Sequence, residues 1–189
     1  MVPLFATRYL IDPYIESAIL SNVLEGLIRM GIFIAYLKLI SLIPDIKRVF
    51  AYHGAEHKVV NAYEAGVTLD VESVRNYSTA HARCGTAFLF IVLVVAIFVF
   101  ALVGQPTLWI RILSRIALIP VIAAISYEIM KFGASHVDNP IVRFFLAPGL
   151  LLQSITTREP DDRQIEAAIS ALNGVIEIDR TADSSGSTE

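Results

Sequence analysis

Charged residues and cysteines are scarce in this chain of 189 residues. Only 17% of the residues are charged, against about 25% in ordinary soluble domains, while 55% are hydrophobic. A soluble protein of this size could not bury so much apolar surface, so we expect a bilayer to be its solvent. The single cysteine, Cys84, excludes an internal disulfide. The formal net charge of -3 argues against a nucleic-acid partner held through phosphate contacts.

Residues 1–20 lack the compact apolar stretch behind a basic start that defines a secretory signal peptide. We therefore expect membrane insertion by helices that remain in the mature protein. The clearest of these lies within 85–110, a stretch that has no charged residue and is apolar on every helical face. With its flanks it is long enough to cross about 30 Å of hydrocarbon.

Two further stretches bring the expected number of transmembrane helices to about three. One runs over about 22–44, where Asn22 and Glu25 have capping-box spacing and Pro44 can end the helix. The other runs over about 108–130. The stretch 141–152 is apolar but short, so it is expected to lie in the interface or to re-enter the membrane. The predicted fold class is an all-α integral membrane helical bundle.

Several charged residues lie inside these stretches. Arg29 and Lys38 are expected to snorkel towards head groups or to face the protein interior. Arg111 and Arg115 share one helix face near an end and are expected to reach the interface, beside Trp109.

Basic residues in the connections set the predicted orientation. The loop over about 45–85 contains five of them, namely Lys47, Arg48, Lys58, Arg75 and Arg83. Three more follow the third helix, at Lys131, Arg143 and Arg158. We therefore expect a multi-pass protein of the inner (cytoplasmic) membrane whose 45–85 loop and C-terminus are cytosolic.

The chain changes character after residue 159. We assign 1–159 to a membrane domain that includes the 45–85 loop, 160–178 to a short cytosolic amphipathic helix, and 179–189 to a disordered tail. Pro160, Asp161 and Asp162 are typical of a helix start. An apolar stripe then follows at Ile165, Ala168, Ile169 and Leu172.

The strongest chemical signal is the segment 53–58 (HGAEHK). If it is helical, His53 and His57 lie one turn apart on one face and can hold one metal ion. Glu56 gives the His-x-x-Glu-His order in which a glutamate activates water in inverted zinc peptidases. The alternative is a solvated helix face that carries polar residues without a metal.

His81 and Cys84 strengthen the metal hypothesis because both residue types bind zinc and they lie three residues apart. The predicted topology places all the histidines and the cysteine on one side of the membrane, with Glu128 and His136 near the end of the third helix. Each has a plainer interpretation. Cys84 could be a small buried hydrophobe, His136 a loop residue, and Glu128 a partner for a basic side chain.

Three spaced motifs resemble one bacterial membrane family, called domain of unknown function 1385. They are 52–58 (YHGAEHK), 81–86 (HARCGT) and 156–160 (TTREP). The resemblance covers about 25–172 and implies a multi-pass membrane protein with metal dependence and no established substrate. It also implies a shared set of motif residues, namely His53, Glu56, His57, His81, Arg83, Cys84, Arg158 and Glu159.

The chain departs from that family at two places. Ala82 stands where members usually have proline, a change that keeps both neighbouring candidate ligands. Members usually begin with a longer region that contains a glycine- and methionine-rich motif, which 1–24 does not show. We therefore expect a shortened start or a short variant.

Three functions fit these features. The first is a zinc-dependent hydrolase at the cytosolic membrane surface, in which three of His53, His57, His81 and Cys84 bind the metal and Glu56 accepts a proton. Lys58, Arg83 or Arg158 would then stabilise developing negative charge. The second is a non-catalytic scaffold in which all the ligands close a structural zinc site. The third is a metal or ion transporter.

The expected partners are membrane lipids, together with a substrate or protein of unknown identity at the cytosolic face. An oligomer is compatible with the sequence. Zinc is the expected cofactor, although the residue types alone would also suit other divalent metals.

Overall fold

The computed structural model describes residues 2–104 and 106–186, and every regular element in these residues is a helix. The α-helices are α1 (Val2–Leu10), α2 (Ala18–Ile40), α3 (Pro44–Glu64), α4 (Val71–Arg75), α5 (Gly85–Val103), α6 (Leu108–Ala117), α7 (Ile119–Ser135), α8 (Pro140–Thr156) and α9 (Asp162–Gly186). A 3-10 helix at Asp12–Tyr14 lies between α1 and α2. The predicted all-α class is confirmed.

Two compact units make up the chain. Unit 1 consists of Met1–Leu39 and Ala82–Leu152, and unit 2 consists of Ile40–His81 and Gln153–Glu189. Most of the predicted 45–85 loop therefore folds with the C-terminal helix, although the sequence suggested separate domains. The physical reason is that the apolar stripe of that helix needs a partner surface, which α3 and α4 supply.

Helix α5 carries the membrane character of unit 1. It has no charged residue, and only 22% of its most apolar window is buried inside the protein. The buried part packs against α7 through Val95, Ala96, Phe100 and Ile122. Because exposure of the remaining apolar surface to water would be unfavourable, α5 fits a membrane-spanning helix.

The other candidate spans are pairs of helices that meet at a bend. By length and composition, the described residues offer one spanning helix, or up to three if α2 with α3 and α6 with α7 each count as one span. The prediction of one continuous helix over 108–130 is wrong, because α6 and α7 meet at a bend of 43°. Pro120 lies in the first turn of α7, and Pro44 in the first turn of α3. At these positions a proline starts a helix without losing a hydrogen bond.

The proposed capping box in α2 is also wrong. The helix begins at Ala18, so Asn22 and Glu25 lie inside it. The Asn22 side chain donates to the carbonyl oxygens of Ala18, at 2.8 Å, and Gly104, at 2.9 Å. Glu25 pairs with Arg111, which is only 1% exposed.

Unit 2 is built around a small apolar core between α3, α4 and α9. Its fully buried members are Ala55, Val59, Ala62, Val74 and Ile165. Ala168, Ile169 and Leu172 pack against this core from α9, which confirms the apolar stripe predicted there. The core holds α3 in place, and α3 carries the two most informative histidines.

The start of α9 is capped by reciprocal hydrogen bonds between Asp161 and Gln164. The amide of each residue donates to the side-chain oxygen of the other at 2.9 Å, which satisfies amides that the first helical turn leaves free. The helix then continues to Gly186, so the predicted end at 178 is too early. Of the tail predicted to be disordered, 179–186 is helical and 187–189 lies outside the described residues.

Gly54 allows the chain before α9 to lie directly on α3. A Cβ atom at this position would overlap the carbonyl group of Arg158, and the Arg158 amide donates to the carbonyl oxygen of Phe50 at 2.9 Å. Only glycine permits two backbones to approach so closely. It explains in physical terms why a glycine stands between the two histidines of α3.

Candidate metal centre

His53 and His57 lie side by side on α3, as their spacing predicts. Their ring centroids are 4.3 Å apart in an edge-to-face arrangement. The ring of His81, which precedes α5 in the chain, lies 5.9 Å from that of His57. Unit 2 thus brings three histidines into one cluster, in which His57 is only 4% exposed.

Backbone carbonyl groups fix the tautomers of the two α3 histidines. Nδ1 of His53 lies 2.8 Å from the carbonyl oxygen of Thr156, and Nδ1 of His57 lies 2.6 Å from that of Thr79. A carbonyl oxygen can only accept a hydrogen bond, so each Nδ1 carries the proton. The lone pair of each neutral ring is therefore on Nε2. Metal-binding histidines are typically oriented through the other nitrogen in this way.

The ring separations fit a shared ion. With Zn–N bonds of about 2.0–2.1 Å and tetrahedral geometry, two imidazoles on one zinc have centroids about 5 Å apart. The separations of 4.3 Å and 5.9 Å lie on either side of this value.

His81 is held by two residues that sequence reasoning missed. The side chain of Gln153, which is 0% exposed, binds both the amide and the carbonyl of His81 at 2.9 Å. Nε2 of His81 lies 3.3 Å from a carboxylate oxygen of Glu64. A glutamine that directly follows the apolar stretch 141–152 is the one sequence signal for this contact, since a buried amide must find partners.

Cys84 belongs to unit 1, where it caps the N-terminus of α5. It is 5% exposed, and its sulfur accepts a hydrogen bond from the Thr86 amide at 3.3 Å. Cys84 lies three positions after His81, a length of chain that spans at most about 11 Å. Connectivity alone therefore keeps Cys84 near His81.

Glu56 lies on the side of α3 that faces α9. It is exposed, and with Tyr52, Ala168 and Leu172 it lines a cavity of about 420 Å³ between the two helices. The histidine pair instead points to the carbonyl groups of Thr156 and Thr79. The assignment of Glu56 as a proton acceptor stays a prediction.

Lys58 is anchored by structural contacts. Its ammonium group is buried, donates to the carbonyl oxygen of Arg75 at 2.7 Å and pairs with Glu159 at 2.6 Å. The backbone amide of Arg158 contacts α3, although Arg158 as a whole is exposed to solvent. These contacts tie the 156–160 motif to α3.

The remaining candidates lie in unit 1. Arg83 is exposed just before α5, and Glu128 is exposed on α7. His136 is exposed at the end of α7 and stacks on Phe132, with ring centroids 4.3 Å apart. The role of His136 at a metal site stays a prediction.

Comparison with known proteins agrees with the sequence motifs. The family model described as "Protein of unknown function (DUF1385)" matches residues 1–178. The chain is 38% identical over 183 residues to "Uncharacterized protein YqhQ" of Bacillus subtilis (strain 168), which covers 97% of this chain and 57% of that protein. The chain therefore spans little more than half the length of this relative. No solved structure matches this chain.

Proposed function

Since the chain belongs to the DUF1385 family of proteins of unknown function, we propose from its own geometry that it is a membrane protein with a zinc centre. The ligands would be His53 and His57, completed by His81, Cys84 or both. The observation that carries this proposal is the pair of Nδ1 hydrogen bonds to backbone carbonyl groups. These bonds leave Nε2 of each ring as its possible metal ligand, and they orient the rings through the other nitrogen, as in metal-binding histidines.

The ligand types favour zinc over harder metals. Imidazole and thiolate suit zinc, whereas magnesium and calcium prefer oxygen ligands. Cys84 is within reach of the cluster by chain length, because only two residues separate it from His81. Basic residues such as Lys47 and Arg48 support a cytosolic position for 45–85 in the inner membrane.

We further propose that the centre is hydrolytic. With three protein ligands, a zinc ion keeps a position that supplies an activated water. Glu56 is an exposed carboxylate one residue before His57, beside the cavity of about 420 Å³ in which a substrate group could lie. Its role would be to accept the proton of that water.

A structural zinc site is the second candidate, and one observation favours it. Glu56 lies on the α9 side of α3, while the histidines point to Thr79 and Thr156. Four candidate ligands would close the coordination shell and join the segment around His81 to α3 without any chemistry.

Metal analysis of the purified full chain tests the zinc proposal. About one equivalent of zinc is expected, and His53→Ala and His57→Ala should each lower it. His136→Ala is the matched control, since this exposed histidine stacks on Phe132 in unit 1. After cobalt substitution, loss of a thiolate charge-transfer band in Cys84→Ser would identify the sulfur ligand. Well-folded protein without a bound transition metal would overturn the proposal.

X-ray absorption at the zinc edge separates the two candidate functions. The hydrolytic site predicts three protein ligands and one water oxygen, and Glu56→Gln should keep the metal. A shell of four protein ligands would instead establish the structural site. Because His→Ala variants can misfold, thermal unfolding with and without a chelator should accompany each measurement.

A further inference from the structure

Unit 1 contains a group of buried and half-buried charges that the metal centre does not use. Glu25, which is 1% exposed, pairs with Arg29 at 2.7 Å, with Arg111 at 2.9 Å and with Arg115 at 2.8 Å. Arg111 also pairs with Asp12 at 3.0 Å. One carboxylate is thus shared by three guanidinium groups.

The charges in this group do not balance. Three guanidinium groups meet two carboxylates, Glu25 and Asp12, which leaves one positive charge in excess. Within the part of the chain that the structure describes, Nε of Arg111 and Nη1 of Arg115 have no hydrogen-bond partner. Buried charges in a membrane protein are costly unless paired, so an additional anion would stabilise the group.

A long apolar cavity begins at this group. It has a volume of about 440 Å³, within the range of sites for small molecules. Along α5 its lining runs from Phe88 to Phe100, a rise of about 18 Å at 1.5 Å per residue. At the Phe100 end, the guanidinium carbons of Arg115 and Arg29 lie 3.9 Å and 5.3 Å from the ring centroid.

The other end of the cavity is hydrocarbon. Its walls towards the start of α5 are formed by Phe88, Leu89, Val92 and Leu93. Ile122 of α7 also lines the cavity and packs with Ala96 and Phe100, nearer the charged end. Glu25 lines the charged end together with Arg29 and Arg115, so one carboxylate meets two guanidinium groups there. A cavity with net positive charge at one end and aliphatic side chains along its length matches a molecule with an anionic head and one long chain. A neutral chain would leave the excess charge uncompensated.

We propose that this cavity binds a single-chain anionic amphiphile. The head group lies against Arg115 and Arg29, and the hydrocarbon chain follows α5 towards Phe88. The recognised chemistry is a carboxylate or phosphate monoester on one acyl-type chain. The head group lies at the end of α5 away from Cys84, so this site is separate from the proposed zinc ligand on that helix.

Binding of three probes with the same chain tests this proposal. Myristic acid, myristyl phosphate and myristyl alcohol are titrated into the full chain in neutral detergent and counted by native mass spectrometry. One bound molecule is expected for the acid or the phosphate, and at least about tenfold weaker binding for the alcohol, since only the charged heads form charge-assisted hydrogen bonds. The tighter of the two anions identifies the head-group class.

Two variants on α7 locate the probe. Ala123→Phe fills the cavity, because Ala123 is a lining residue, and should abolish binding. Val121→Phe adds the same ring at an exposed position of α7 and should bind as the unchanged protein does. Arg115→Gln should weaken binding of the acid by about tenfold or more. If Arg115→Gln does not fold, Arg29→Gln replaces it, because among the described residues Arg29 forms an ion pair with Glu25 only.

Two results would overturn the proposal. One is equal binding of the alcohol and the acid, which would indicate unspecific lipid contact with the apolar surface. The other is unchanged binding of the acid to folded Ala123→Phe, which would place the probe outside the cavity.

Discussion

Gln153 closes a two-bond ring with the main chain of His81. Its Nε2 donates to the His81 carbonyl, and its Oε1 accepts from the His81 amide, each at 2.9 Å. Gln153 is 0% exposed, so water cannot replace either bond. The position of His81 therefore depends on one amide side chain.

Substitution of Gln153 tests this dependence. Gln153→Met keeps the size of the side chain but leaves an amide and a carbonyl unpaired, which should lower the free energy of unfolding by about 1–3 kcal/mol. Gln153→Glu lacks the donor when ionised and regains an O–H donor when protonated. Its deficit should thus be smaller at about pH 5 than at about pH 8. Thermal unfolding in detergent with chelator present measures both effects.

Neither variant should behave as the unchanged protein at about pH 8. If both did, the contact between Gln153 and His81 would have no energetic weight. A pH-independent deficit of Gln153→Glu would instead show that the protonated carboxyl cannot take the place of the amide.

Gly54→Ala should displace the 156–160 motif from α3. The added Cβ would overlap the carbonyl of Arg158, and overpacking of this kind costs about 1–3 kcal/mol. Because the carbonyl of Thr156 orients His53, the variant should also bind zinc more weakly. Thermal unfolding and metal content measure the two losses.

Gly174→Ala is the matched control on α9. A Cβ atom there meets open space, and alanine is the better helix former by about 1 kcal/mol. This variant should therefore be as stable as the unchanged protein or more stable, with the same zinc content. Equal behaviour of the two glycine variants would contradict the close-approach argument.

The sequence predicted those helices and side-chain arrangements that depend on residues close together in the chain. The uncharged stretch at 85–110 predicts α5 because apolar residues on every face have one stable solvent, the bilayer. The four-residue spacing of His53 and His57 predicts a shared face because it matches one helical turn. The stripe of α9 was found for the same reason, with Ile165 at its buried centre.

Features that depend on distant residues were missed or misread. Asn22 and Glu25 have capping-box spacing, but Glu25 instead forms ion pairs with Arg111 and Arg115. No residue type indicates that the carbonyl groups of Thr79 and Thr156 orient histidines, since every residue has a carbonyl. Such partners are set by the tertiary fold and leave no pattern in the sequence.

Asp70 should give unit 2 a small acid sensitivity. The Ser73 amide donates to its carboxylate, as does the Ser73 hydroxyl, and these hydrogen bonds hold the pKa of Asp70 below its ordinary value. A lowered pKa in the folded state contributes stability that is complete above the unfolded pKa of about 3.9. This contribution is lost as the pH falls through the lower folded pKa.

Carbon-detected NMR titration of the Asp70 carboxyl measures this pKa directly. Ser73→Ala removes the hydroxyl donor and keeps the amide donor, so the pKa should rise part of the way to its ordinary value. An unchanged titration in Ser73→Ala would show that the hydroxyl has no part in the shift.

Removal of Glu159 should destabilise the protein more than removal of Lys58. Lys58 is 4% exposed, so Glu159→Gln leaves a buried ammonium group that still donates to the Arg75 carbonyl but has lost its carboxylate. We expect a loss of about 1–2 kcal/mol, moderated because the Glu159 side chain is 70% exposed and its pair is partly screened. Lys58→Met removes the charge and keeps the aliphatic stem, so its loss should be smaller.

A double-mutant cycle tests the asymmetry. If the loss in Glu159→Gln arises from the unpaired ammonium group, Lys58→Met should relieve it, and the double variant should be more stable than Glu159→Gln alone. Glu177→Gln, at an exposed position of α9, controls for the loss of one negative charge. Additive losses in the cycle would mean that Lys58 and Glu159 do not interact, and the 156–160 motif would then be held on α3 through its backbone contacts with Phe50 and His53.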